Sequence, residues 1–149
     1  MNLPKYPLAS NDNLMTFEFI SEGNKGLIHK IVQYQPTNLK YVYNLAFGDK
    51  DFDTGNIDDT VISNNGDSEK VLATVVATVY AFTDRYPDAW IYATGSTKSR
   101  TRLYRMGIAK FLSEVNDDFE VLGELNDNWE TFKENVEYEG FLVRREMKK

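Results

Sequence analysis

The sequence predicts an α+β fold: a two-layer sandwich of a mainly antiparallel sheet with two helices packed on it, in the order βββ-α-β-α-ββ(β). Three observations carry that expectation. Between residues 14 and 47 three β-rich runs follow one another, separated by turn residues. Over residues 68–86, and again from about 99 to 115, apolar residues recur at spacings of three and four, the period of a helix. Short β-rich runs lie between these two stretches and after them.

Taken in order, residues 1–13 read as an irregular lead-in marked by Pro4 and Pro7. Thr16-Phe17-Glu18-Phe19 alternates at the strand period, and Gly23-Asn24-Lys25-Gly26 is a turn. Leu27 to Gln35 forms the second strand, closed by Pro36, and Tyr41 to Phe47 the third, with Tyr41, Tyr43, Leu45 and Phe47 on one face. The first helix carries many β-branched residues, which disfavour helix slightly. Its length without glycine or proline outweighs them, and Asp67 or Ser68 is placed to cap it before Pro87 stops the chain. Trp90 to Ala93 is a short strand, broken by Gly95-Ser96-Thr97. The second helix presents Tyr104, Ile108, Phe111, Leu112 and Val115 as one stripe. Asn126-Asp127-Asn128 turns a hairpin, and Tyr138 to Arg145 is the last strand. One domain is expected over 14–146, with 147–149 as a basic tail.

Composition narrows the function. Hydrophobic residues make up 42% of the 149 and charged residues 27%, which is the balance of a folded globular chain rather than a disordered one. No stretch approaches the ~18 apolar residues of a membrane helix. The first residues lack the apolar run of a secretory signal, so a cytoplasmic location and no membrane partner are expected. Without cysteine there is no disulfide framework, no thiolate zinc site and no cysteine nucleophile, and no cofactor is expected. The net charge of −6 argues against broad DNA coating. That charge is unevenly spread. Residues 49–69 hold seven acids and one lysine, 98–110 five bases and no acid, and 114–139 ten acids against Lys133.

Three places offer chemistry. At the junction Gly95-Ser96-Thr97, a helix start supplies free N–H groups and a partial positive charge suited to phosphate or carboxylate. Arg100, Arg102 and Arg105 follow, and Arg100 falls near the apolar stripe, where it wants either an internal carboxylate or an incoming anion. The segment lacks the Walker pattern. Asp49, Asp51 and Asp53 alternate as hard-cation ligands do, yet Thr54 and Thr60 stand where a calcium loop has Gly and Glu. A solvated turn explains them as well. His29, the one histidine, shares a strand face with Leu27 and Ile31 and has no acid–base partner set by the sequence. No Gly-x-Ser-x-Gly elbow occurs. Tyr34, Tyr41 and Tyr43 would stack bases only beside a basic groove, which residues 14–47 do not supply.

Three segments also carry a resemblance: Tyr43-Asn44-Leu45-Ala46-Phe47-Gly48-Asp49, then Asn64-Asn65-Gly66-Asp67 with Lys70 to Thr74, and Gly95-Ser96-Thr97 with Arg100 to Tyr104. Phe17 to Gly23 and Phe141-Leu142-Val143 join them. Together they resemble a family of short bacterial proteins classed as a domain of unknown function, number 6934. The resemblance implies a bacterial, stand-alone, cytosolic domain and carries over no catalytic residue. The expectation for function is noncatalytic binding of a protein partner or small anionic ligand at the Gly95–Arg105 junction. Its rivals are a divalent-metal enzyme acting on nucleotide or RNA phosphate, and one half of a small regulatory pair such as a toxin and its antitoxin.

Overall fold

The computed structural model describes residues 4–58, 65–94, 99–114 and 118–146, without the side chains of residues 58, 94 and 99–105. Its elements are β1 (Ala9–Ser10), β2 (Thr16–Gly23), β3 (Gly26–Pro36), β4 (Val42–Lys50), β5 (Ile57–Asp58), α1 (Ser68–Arg85), β6 (Trp90–Thr94), α2 (Ser99–Glu114), β7 (Phe119–Leu125), β8 (Asn128–Thr131) and β9 (Gly140–Arg145). The architecture is the α+β order read from the sequence, with the two-residue strands β1 and β5 added. The sheet order is β1-β2-β3-β4-β6-β9-β7-β8, with β5 paired to the end of β4. Every pairing is antiparallel except β4 with β6.

Hairpin chemistry sets the register. Gly23 pairs with Gly26 across Asn24-Lys25, which places Phe17 opposite Val32 and Phe19 opposite Lys30 on one face. Asn126 and Asp127 both have positive φ, 52° and 64°, and close the β7–β8 hairpin between Leu125 and Asn128. The buried residues of one sheet face, among them Phe17, Val32, Tyr34, Leu45, Ile91, Val121, Phe141 and Val143, form one core with Val71, Val75, Val76, Val79 and Phe82 of α1 and Ile108, Ala109 and Leu112 of α2. Each such large side chain contributes roughly 1.5–3 kcal/mol on burial, which is why β-branched residues are tolerated in α1. The buried hydroxyls of Thr74, Thr78 and Thr83 donate back to the carbonyls of Lys70, Val75 and Val79.

Three local expectations change. Tyr41 is not on the face of Tyr43, Leu45 and Phe47. It sits before β4 with φ 68° and is 51% exposed, because the Thr37–Val42 turn needs a left-handed residue there. Asp67 occupies the N-cap position of α1 but makes no capping bond, its carboxylate being taken by other groups. The last strand begins at Gly140, and Tyr138 instead buries its ring over Gly123, where a Cβ would stand 2.4 Å from the ring. The tyrosines proposed for stacking are also accounted for. Tyr34 is stacked on Phe82 at 4.1 Å and bonded to Thr78, and Tyr43 packs edge-on to Phe82.

Candidate functional site

The parallel pair sets the geometry of the site. Val42, Tyr43 and Asn44 of β4 lie beside Trp90, Ile91 and Tyr92 of β6, so both strands finish at the same end of the sheet. The chain returns between them through α1, which therefore starts at that end and finishes at the other. The same holds for α2, which follows β6 and leads to β7, a strand running in the direction of β6 because both are antiparallel to β9. The starts of both helices, the β2–β3 turn and the aspartates after β4 thus share one end of the molecule.

The two helix starts differ. Around α1 the chain supplies its own acids, Asp67 before the helix and Glu69 in its first turn. In the first turn of α2 there is no acid. Of the residues read from the sequence as an anion site, Gly95, Ser96 and Thr97 lie outside the described residues, as do the side chains of Arg100, Arg102 and Arg105; the backbone at Ser99 and onward is helical.

The aspartate trio is not gathered on one point. Asp49 takes Lys30 Nζ at 2.5 Å, and that lysine is fully buried on the helix-bearing face between β2 and β4. Asp51 turns inward on the backbone: its Oδ1 accepts the amide of Asp53 at 2.9 Å, and its carbonyl accepts Gly55 N–H at 2.7 Å. Asp53 is exposed. Among the described residues no group of three or more His, Asp or Glu side chains is placed to hold a metal ion.

His29 does acquire a partner. Its Nε2 lies 3.1 Å from Glu18 Oε1 on the neighbouring strand, and Lys50 Nζ lies 2.7 Å from the same oxygen. The hydrogen bond from Lys50 holds the Glu18 carboxyl below the usual glutamate range, against the opposing effect of burial. Phe52 closes over the imidazole edge-on at 5.5 Å.

A model of the family described as "Family of unknown function (DUF6934)" matches residues 2–146. The chain belongs to that family. No curated protein and no solved structure matches it. Membership thus accounts for nearly the whole chain, and the chemistry has to be read from its own side chains.

One cluster escaped sequence reasoning. Asp67 Oδ2 accepts hydrogen bonds from Tyr6 Oη and Ser21 Oγ, each at 2.5 Å. Asn65 Nδ2 donates to Ser21 Oγ at 3.1 Å and to the Gly26 carbonyl at 2.9 Å, while its Oδ1 accepts Lys25 N–H. Gly23 has no room for a Cβ, which would stand 2.0 Å from the Asn65 carbonyl oxygen. Burial, then the hydrogen bond to Asp67, raises the Tyr6 phenol. Lys70 Nζ stands 4.2 Å from the centre of its ring. The segment Asn65-Gly66-Asp67 therefore stitches the β2–β3 turn to the start of α1. The signal for it was present in the sequence as an Asn-Gly-Asp run before a helix, but its partners lie 39 to 61 residues away.

Proposed function

We propose that this member of the family is a noncatalytic bacterial cytoplasmic domain that binds a small anionic ligand, phosphate or carboxylate, where α2 begins. Backbone N–H groups and the hydroxyls of Ser96 and Thr97 receive the anion, and Arg100, Arg102 and Arg105 supply charge, Arg100 in bidentate fashion. The observation that supports this reading is the contrast between the helices. Acids of the chain itself surround the start of α1, whereas α2 opens after a strand with no acid in its first turn and with bases at 100, 102 and 105. Gly95 lets a ligand approach the backbone closely.

A thermal-shift screen with inorganic phosphate, pyrophosphate, nucleotides and sugar phosphates, run on the wild type and on Arg100→Ala, tests the proposal. A ligand at a hundred times its dissociation constant adds about 2.7 kcal/mol. The expected result is a rise in melting temperature with a phosphate-bearing compound that Arg100→Ala abolishes without lowering the melting temperature of the free protein. No shift with any compound, together with a variant that melts early by itself, identifies Arg100 as an internal bridge and removes the proposal.

One observation favours a second reading, metal-dependent action on a nucleotide or RNA phosphate. Asp49 near the end of β4, and Asp51 and Asp53 just after it, lie at the same end of the sheet as α2 begins. A divalent cation would have to draw Asp49 away from Lys30. A melting shift with manganese or magnesium that Asp49→Asn removes supports this reading, and indifference to both cations contradicts it.

A further inference from the structure

The two helices cover one face of the sheet, and the other face carries two groupings of an indole with a carboxylate. Across β6, β9 and β7 one row reads Trp90, Arg144, Glu120. In it the Arg144 guanidinium lies 4.6 Å from the Trp90 ring centre and 3.4 Å from Glu120 Oε2, so the chain fills that aromatic–acid pair with its own cation. Four residues along, β9 offers Gly140 to Glu124, and β8 sets Trp129 directly opposite Glu124. Here the glycine supplies no cation. Among the described residues Glu124 Oε1 accepts the neutral hydroxyl of Tyr92, at 3.0 Å, and a Cβ on Gly140 would stand 3.2 Å from that oxygen. Among the described residues no Lys or Arg pairs with Glu124 or stands over Trp129. The indole is 39% exposed and is held edge-on to Tyr92 at 5.9 Å.

The segment that carries this second pair is strongly acidic. Residues 114–139, a stretch that contains the β7–β8 hairpin, hold ten acids and one lysine. β8 is the last strand of the sheet on that side, so its outer main-chain groups are open to an added extended segment. An acidic field repels nucleic acid and draws in a polycation.

We propose that the Trp129–Glu124 pair and the β8 edge dock a basic, extended segment of a partner protein. One arginine or lysine of that segment stacks on Trp129 and pairs with Glu124, as Arg144 does with Trp90 and Glu120. The inference is independent of the anion reading, because it concerns side chains of β7 and β8 rather than the start of α2, and a ligand of opposite charge.

The test is fluorescence anisotropy of a labelled nine-residue peptide of alternating Arg and Thr, titrated with the full chain at low and at high salt. The wild type is expected to bind it with an affinity that falls as salt rises. Glu124→Gln and Trp129→Ala are each expected to weaken it about tenfold. In the double variant the losses are expected to be less than additive, since both residues hold one cation. Melting temperatures close to wild type show that the surface substitutions leave the fold intact, and Glu124→Asp, which keeps the charge, is expected to retain part of the binding. Equal binding by wild type and Glu124→Gln overturns the proposal. So does preference for a matched Glu-Thr peptide or for single-stranded RNA, or a dimer in sedimentation that Trp129→Ala dissolves, since that assigns the patch to a second copy.

Discussion

At the scale of residues, Gly123 and Asp67 each join parts of the chain that are distant in sequence or packed too closely for a side chain. Gly123 lies under the buried Tyr138, whose ring carbons would stand 2.4–2.5 Å from an added Cβ, and the Tyr138 hydroxyl in turn donates to Glu130 at 2.8 Å. Gly123→Ala is therefore expected to cost about 1–3 kcal/mol by overpacking, read as a lower denaturation midpoint; a midpoint unchanged from wild type would show that Tyr138 moves aside freely. Asp67 accepts two hydroxyl hydrogen bonds, from Tyr6 and Ser21. Tyr6→Phe should cost about 1 kcal/mol, and less in an Asp67→Asn background, because the two substitutions remove the same interaction. Additive losses in that cycle would deny the pair its coupling. Neither feature was legible beforehand. A glycine in a strand and an aspartate before a helix each have commoner local explanations, a bulge and a cap, and only the folded chain brings Tyr138 and Tyr6 to them.

At the scale of elements, local chemistry and tertiary packing divide the work. The hairpins at Asn24-Lys25 and Asn126-Asp127 and both helices could be read directly, because turn residues and apolar period are local signals. The short β1 and β5 could not, since two-residue strands have no period and exist only through their partners Phe17, Glu18, Asp49 and Lys50. The parallel insertion of β6 beside β4 was equally hidden, because the crossover through α1 decides it rather than anything within Trp90–Thr94. Since both turn residues of the β7–β8 hairpin have positive φ, Asp127→Gly is expected to raise stability by about 0.5 kcal/mol, measured as a higher thermal midpoint. A lower midpoint would mean that the aspartate holds that turn through a contact of its own.

At the scale of the whole molecule, tyrosine burial controls the response to pH. Tyr6, Tyr34, Tyr80, Tyr92 and Tyr138 are all raised above the ordinary phenol value, burial being the largest cause in each, and Tyr80 is pushed up to about 12 with help from its hydrogen bond to Asp118. The folded chain holds protons that the unfolded chain releases. Stability is therefore complete below the ordinary tyrosine value of about 10 and falls as pH rises through the raised ones. Urea midpoints measured at pH 8, 10 and 11 should decline over the last interval, and Tyr80→Phe should flatten that decline. Flat midpoints across the range would contradict the burial of these phenols. On the acid side Glu18 acts with the opposite sign: its lowered carboxyl stabilises the fold above the ordinary glutamate range, and that contribution disappears as pH falls through the lowered value.

The sheet separates two kinds of surface, an end where both helices begin and a helix-free face lined with acids and aromatics. The candidate Gly95–Arg105 site is legible as composition and spacing only, because a local run of bases identifies a charge without its partner. Backbone amide NMR during a titration with pyrophosphate tests the anion reading most directly. The prediction is saturable shifts at Ser99 to Arg102, with the amides of Ser68 to Lys70 at the start of α1 unmoved. Shifts spread evenly over exposed lysines and arginines, or none at the start of α2, would contradict it.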